Sequence, residues 1–177
     1  RIEKLNRLQK AGVLAYPSKT NRTNTIKEAL EDFDKVFKKL KNPVLVGRIL
    51  AIREHGKMIF LNIQDGTGRI QVLLKEDTLG EKGIEFFKDY FDIADFIEIK
   101  GNLFKTKRGE KTIEAQDFKM LAKALLPLPD QWCGLSDVED CFRKRYLDIL
   151  SDPEVRAMVE KRAIFWHSMR EFLMQKG

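Results

Sequence analysis

Residues 58–64 alternate apolar and other side chains in the pattern typical of a half-buried β-strand. Successive strand residues point to opposite sides of a sheet, so one face carries branched aliphatic side chains alone: Ile59, Leu61 and Ile63. The other face carries Phe60 between polar neighbours. A ring on a polar, solvent-facing strand is suited to stacking on an unpaired nucleic-acid base, although single surface aromatics also occur without a partner. The segment therefore predicts a strand and makes Phe60 a candidate base-stacking residue.

The size and composition of the chain indicate a globular protein. Its 177 residues, 43% of them hydrophobic, suffice for one domain with an appendage or for two small domains. No apolar run approaches the roughly 20 residues that cross a bilayer, and the first residues lack the apolar core of a signal peptide, so we expect a cytoplasmic protein. Cys133 and Cys141, with His55 and His167 as the only histidines, do not have zinc-site spacing. We expect two free thiols and no metal site.

The positive charge of the chain is concentrated at its N-terminus. Residues 1–27 contain seven Lys and Arg residues against one acidic residue, while the whole chain carries a net charge of +6. Ile2, Leu5 and Leu8 recur at three-residue spacing, which predicts an amphipathic helix that docks by its apolar stripe and turns its cations outward. Such a helix would suit binding to a phosphate backbone. The alternative is that its cations form a solvated basic face that binds no partner.

The middle of the chain predicts five strands and one helix. The predicted strands are Val44 to Arg53, Met58 to Gln64, Arg69 to Leu74, Phe96 to Lys105 and Thr112 to Phe118, and the helix runs from Glu81 to Tyr90. Turn residues separate them, among them the runs 65–68 and 107–110. Three strands, a helix and two strands is the order of the OB-fold, a five-stranded Greek-key barrel that binds oligonucleotides on its second and third strands. The predicted fold class is therefore mainly β with flanking helices.

Alternation on the third strand places Gln71 on the same outer face as Phe60. A planar amide carries both donors and acceptors and reads the polar edge of an unpaired base, beside a ring that stacks on it. Arg53, at the end of the first strand, and Glu110, at the tip of the last hairpin, would close the groove from its two sides. The alternative for Arg53 and for Glu110 is a solvated charge in a turn, without a role in binding.

The region after the barrel is predicted to be helical. The Pro-rich run 126–130 reads as a stiff linker, and Ser136 with Glu139 has the spacing of a capping box for a helix that continues to Leu150. Asp152 is a favoured N-cap residue and Pro153 is favoured at the first position of a helix. Together they predict a second helix, which runs to Gly177. Its stripe includes Trp and Phe, and nothing follows that would cover it. We therefore expect a partner subunit or further parts of a domain against it.

Several runs in the chain together resemble the N-terminal part of a bacterial-type class II lysyl-tRNA synthetase. The runs lie at 46–49, 55–57, 69–71, 106–110, 123–129, 134–135, 137–139 and 143–148. The most specific are the hairpin Thr-Lys-Arg-Gly-Glu, residues 106–110, and the segment Arg-Lys-Arg-Tyr-Leu-Asp, residues 143–148. This chain departs mildly from the family pattern at Cys133, where a His is common, and at Cys141, where a basic residue is common.

The resemblance implies a role for each candidate residue. Phe60 matches the stacking aromatic of the family, Gln71 the base-reading amide, Arg53 the cation and Glu110 the hairpin carboxylate. It implies an N-terminal basic helical arm at 1–42, an anticodon-binding barrel at 43–122, a linker at 123–135 and the helical start of a catalytic and dimerisation domain at 136–177. The implied partner is the anticodon loop of lysine tRNA.

The resemblance also implies what the parent enzyme would need besides this chain. A lysine–tRNA ligase of this family is a homodimer that uses ATP and Mg²⁺, with its ATP and lysine sites further along the chain. We therefore expect no catalytic residue here, no cofactor in the fragment and no lysyl-adenylate formation by it. Three alternatives stay open: a free-standing OB-fold module for single-stranded nucleic acid, the corresponding part of an aspartyl- or asparaginyl-tRNA synthetase, and a dimerisation fragment without nucleic-acid binding.

Overall fold

A computed structural model describes residues 1–31, 33, 42–129, 135 and 137–177 of the chain. Its contacts divide the chain into two compact units, Arg1–Pro127 and Leu128–Gly177. Within the described ranges, no helix is long and apolar enough to cross a membrane.

Five strands form a closed barrel in the first unit. They are β1 (Val44–His55), β2 (Met58–Gln64), β3 (Arg69–Lys75), β4 (Phe96–Lys105) and β5 (Lys111–Ala122). The order around the barrel is β1-β2-β3-β5-β4, with β3 and β5 parallel and every other pair antiparallel. This arrangement confirms the predicted OB-fold, and closure removes the exposed strand edges. Three strands are longer than predicted, because β1 continues to His55, β3 continues to Lys75 and β5 covers residues 111–122.

The alternation of apolar side chains along β2 and β3 fills the interior of the barrel. Ile59, Leu61 and Ile63 are at most 1% exposed, and the inward residues of β3 are buried with them: Ile70, Val72 and Leu74. One outward residue departs from the expected pattern, since Leu73 is also buried. Gly101 marks a register shift between β4 and β5, where a Cβ atom would lie only 1.9 Å from the carbonyl oxygen of Glu114.

The N-terminal arm packs onto the barrel. It contains α1 (Ile2–Lys10) and α2 (Ile26–Glu31), and Leu8 of α1 is fully buried in the same core as the strands. The predicted helix is therefore present. The expectation that its cations point outward is wrong for Lys4, which is partly buried in an ion pair with Asp92 at 2.9 Å. Arg7 is exposed and forms a surface ion pair with Asp89 at 3.3 Å.

A helix between β3 and β4 covers part of the core. This helix, α3 (Glu76–Tyr90), begins five residues before the predicted position and is kinked at Gly80, whose φ of 75° an L side chain rarely adopts. Its buried residues Ile84 and Phe87 face the core. Phe87 stacks on Phe91 with ring centroids 4.9 Å apart.

A buried ion network fastens the end of β5 to the loop before β4. The ammonium of Lys123 contacts Asp92 at 2.5 Å and Asp95 at 2.7 Å, and the side chains of Lys123 and Asp95 are 0% exposed. Burial alone would raise the pKa of Asp92, but hydrogen bonds from Lys123 and Lys4 outweigh that effect and hold it below its ordinary value. Lys123 begins the predicted linker, yet it lies within the first compact unit.

The second unit contains three helices in its described residues. They are α4 (Val138–Arg143), α5 (Arg145–Ser151) and α6 (Pro153–Lys176). The single helix predicted from Ser136 to Leu150 is wrong in one respect, because non-helical backbone at Lys144 divides it. Ser136 lies outside the described residues, and the side chain of Asp137 accepts from the Glu139 amide instead.

The second helix of the sequence prediction is present as α6. Asp152 caps it by accepting from the Glu154 amide at 2.7 Å, with Pro153 at its first position. Along α6 the large apolar side chains are exposed: Met158, Ile164, Phe165, Trp166, Met169, Phe172, Leu173 and Met174. Cys141 is a free thiol whose Sγ lies 3.4 Å from the Leu135 carbonyl oxygen, and Cys133 lies outside the described residues.

Candidate nucleic-acid interface

Phe60 lies on the outer face of β2, where its ring is half-buried. The strand register places it directly opposite Arg53 of β1 on one side and Leu73 of β3 on the other. The His55 ring contacts it edge to face at 6.4 Å. Directly opposite residues share a face of a sheet, so the exposed Arg53 and the Phe60 ring belong to one surface.

Gln71 lies one strand further on, and its amide is engaged on both sides. The register pairs Gln71 with Asn62 of β2, which makes Gln71 the diagonal neighbour of Phe60 on the same outer face. Its Nε2 donates to Oε2 of Glu110 at 3.0 Å, and its Oε1 accepts from the Thr112 hydroxyl at 2.9 Å. The structure therefore brings two predicted site residues, Gln71 and Glu110, into direct contact.

The hairpin between β4 and β5 positions Glu110. The Thr106 amide donates to the Glu110 carbonyl oxygen at 3.0 Å, and the Glu110 amide donates to the Thr106 hydroxyl at 3.1 Å. Gly109 makes the turn possible, because its φ of 84° lies in the left-handed region that favours glycine. The two reciprocal bonds close the turn, and the exposed Glu110 side chain extends from it to Gln71.

The turn between β2 and β3 is held by Asp65. Its carboxylate accepts from the amides of Thr67 and Gly68 within the turn and from the Ile26 amide at the start of α2. Burial alone would raise the pKa of Asp65, but these hydrogen bonds, led by the one from Ile26, lower it. Asp65 thus fixes both the turn that joins β2 to β3 and the position of α2 beside that turn.

An open cleft of about 270 Å³ lies next to the Gln71 amide. It is lined by Leu30, Asn62, Arg69, Ile70, Gln71, Glu110 and Lys111. Arg69 donates from Nε to the Gln64 side-chain oxygen at 2.7 Å, and Lys111 donates to the Leu30 carbonyl oxygen. Two cations, Arg69 and Lys111, line the cleft, and Lys107 and Arg108 lie in the hairpin that carries Glu110. A nucleotide bound here would meet an amide, a carboxylate and positive charge suited to phosphate.

The four residues predicted from sequence share this surface. Further residues that line the cleft or contact Gln71 were not predicted as site residues. Alternation along β2 and β3 places Asn62 and Arg69 on the outer face, but no sequence signal marked them as site residues. Thr112 and Lys111 had no signal in the sequence, because their positions depend on the parallel pairing of β3 with β5. Among the described residues, no group of three or more His, Cys, Asp or Glu side chains could hold a metal ion.

Parts of the chain are similar to known proteins. Residues 44–121 match a family described as an OB-fold nucleic acid binding domain, under the heading of tRNA anticodon. Over its whole length the chain is 43% identical to a lysine–tRNA ligase of Carboxydothermus hydrogenoformans and 40% identical to one of Roseiflexus castenholzii. A lysine–tRNA ligase of Aquifex aeolicus is 43% identical over 82% of the chain.

The similarity covers only part of each relative. The matched region is 36% of the Carboxydothermus and Roseiflexus proteins and 24% of the Aquifex protein. It corresponds to their N-terminal portion. The chain therefore spans about a third of the length of the proteins it matches.

Proposed function

We propose that the chain is the counterpart of the N-terminal third of a lysyl-tRNA synthetase and that its barrel binds the anticodon loop of lysine tRNA. The observation that carries the proposal is the single outer surface on which Phe60, Arg53, Gln71 and Glu110 lie together. The OB-fold binds nucleic acid on its second and third strands, and Phe60 and Gln71 are on those strands.

Each side chain has a task in this proposal. The Phe60 ring stacks on one unpaired base, and the Gln71 amide hydrogen-bonds to the polar edge of the middle uridine. Arg53 contacts phosphate or base next to the ring. Glu110 holds the amide and is available to accept from a base N–H. Lys10, Lys19 and Arg22 of the arm are exposed and would add contacts to phosphate, whereas Lys4 and Arg7 are already paired with aspartates.

The activity of the complete protein is part of the same proposal. It would attach lysine to its tRNA with ATP and Mg²⁺, and we assign those sites to the two thirds of the relatives' length that this chain does not span. The exposed apolar side chains of α6 support a homodimer in which that helix is covered. A tRNA-charging enzyme works where tRNA is used in translation, so the proposal places the protein in the cytoplasm.

Binding of anticodon stem-loops tests the role of the barrel. Stacking is worth about 1–3 kcal/mol per base, so Phe60→Ala should weaken binding of the lysine-tRNA stem-loop roughly 5- to 100-fold in a fluorescence anisotropy titration. Phe96→Ala is the matched control, because Phe96 is also half-buried but contacts Arg48 at the β1–β4 side of the barrel. It should leave binding unchanged, and circular dichroism should show both variants folded.

The same titration separates the proposal from its alternatives. A stem-loop with cytidine in place of the middle uridine should bind more weakly to the unchanged protein. Equal binding of both stem-loops would support a general single-strand-binding module instead. Absence of binding to either stem-loop would contradict a nucleic-acid function of this surface.

A further inference from the structure

The Gln71 amide is held by two groups of different hydrogen-bonding character. Thr112 lies opposite Gln71 in the parallel β3–β5 pair and is 0% exposed. Its Oγ1 lies 2.9 Å from Gln71 Oε1 and 3.3 Å from the Glu110 carbonyl oxygen. A threonine hydroxyl has one proton, and the shorter contact assigns it to Gln71. On the other side of the amide, the Glu110 carboxylate lies 3.0 Å from Nε2.

These contacts permit one orientation of the amide. An ionised carboxylate only accepts hydrogen bonds, so the NH₂ group of Gln71 must face Glu110. Rotating the amide by 180° would bring Oε1 against that carboxylate, acceptor against acceptor, and would leave the Thr112 proton only the more distant Glu110 carbonyl oxygen, at 3.3 Å. In the observed orientation, one N–H and one lone pair of Gln71 stay free for a ligand, in a fixed spatial order.

A fixed order of donor and acceptor distinguishes uracil from cytosine. Uracil presents the O4 acceptor beside the N3–H donor, whereas cytosine presents the N4 amino donor beside the N3 acceptor. An amide that rotates freely pairs with either base by turning over. An amide held in one orientation pairs with uracil and places like groups against cytosine.

We propose that Thr112 is a positioning residue that fixes the Gln71 amide in one orientation, and that this orientation determines the preference for uridine over cytidine at the middle anticodon position. The inference rests on the proposed binding of the anticodon by the barrel. Thr112 itself does not contact the RNA, since its side chain is fully buried. It acts through Gln71, together with Glu110.

Two substitutions at Thr112 test the role of the hydroxyl. Thr112→Val keeps the shape of the side chain and removes the proton, whereas Thr112→Ser keeps the hydroxyl. The readout is a ratio of two dissociation constants: that of a lysine-tRNA anticodon stem-loop with cytidine at the middle position, divided by that of the stem-loop with the middle uridine. One hydrogen bond corresponds to about a 2- to 10-fold change in an equilibrium constant. Thr112→Val should therefore lower the ratio about 2- to 10-fold, and Thr112→Ser should restore it.

The ratio distinguishes a positioning role from a structural one. If Thr112→Val only perturbed the barrel, both stem-loops would bind more weakly by the same factor and the ratio would not move, which would overturn the inference. Thr78→Val is the control, because the Thr78 hydroxyl also donates to a side-chain oxygen, that of Glu114, but does not contact Gln71. It should leave the ratio unchanged.

A second comparison keeps the inference separable from the function on which it rests. Gln71→Ala should abolish the preference for uridine if the barrel reads the anticodon at all. If the unchanged protein shows no preference, the proposed function fails and the inference fails with it. If Gln71→Ala abolishes the preference and Thr112→Val leaves it intact, the function stands and only the role of Thr112 is refuted.

Discussion

Replacing Lys123 with methionine should destabilise the first compact unit more than any surface change. The Lys123 ammonium has no exposure to solvent and lies 2.7 Å from Asp95, whose side chain is also 0% exposed. Removing one partner of a buried ion pair costs about 3–5 kcal/mol, because the other charge stays buried without compensation. Two backbone amides, of Asp92 and Ala124, still donate to Asp95, so we expect a loss near the lower end, about 3 kcal/mol.

Urea unfolding followed by far-ultraviolet circular dichroism measures this loss. With a denaturant slope of about 1–3 kcal/mol per molar, a loss of 3 kcal/mol lowers the urea midpoint by roughly 1–3 M. Lys100→Met is the matched control, since Lys100 is an exposed residue of β4. It should change the unfolding free energy by no more than about 0.5 kcal/mol.

A double-mutant cycle identifies the origin of the loss. Asp95→Asn, Lys123→Met and the double variant should show a coupling free energy of about 1–3 kcal/mol, as expected of residues in one hydrogen-bonded ion network. A midpoint shift of Lys123→Met no larger than that of Lys100→Met would refute the reasoning. Strict additivity with Asp95→Asn would refute it as well, because the pair would then contribute nothing as a pair.

Two further predictions concern the same unit. Gly101→Ala should lower the unfolding free energy by at least the ~1–3 kcal/mol typical of overpacking, since its Cβ would lie 1.9 Å from a backbone oxygen. Gly66→Ala is the control in the same urea assay and should have a small effect, because there is open space around its Cβ. Asp65 and Asp92 both have lowered pKa values in the folded state, so their stabilisation is complete above about pH 5, one unit above the pKa of an unfolded aspartate, and is lost as the pH falls through the folded values. The urea midpoint should therefore drop between pH 5 and pH 2, and Asp92→Asn should make that drop smaller; an unchanged pH profile would contradict the assignment.

The sequence by itself determined the features that depend on local periodicity. Side chains of a strand alternate with a period of two, so the pattern around Phe60 specified both a buried face and an outer face before any partner strand was known. Capping chemistry is equally local, and the cap at Asp152 with Pro153 after it was predicted correctly. The order of strands and helix was sufficient for the barrel because few topologies bury those faces without exposed edges.

Only the tertiary structure decided which residues from distant parts of the chain meet. Gln71 and Thr112 are 41 positions apart, and the parallel pairing of their strands is a property of barrel closure that no local pattern encodes. The arm shows the same limit, since Lys4 was predicted to face outward but is partly buried in an ion pair with Asp92, 88 positions away. Charge along a sequence is visible, but whether a charge meets solvent or a carboxylate depends on packing between segments that are remote in the chain.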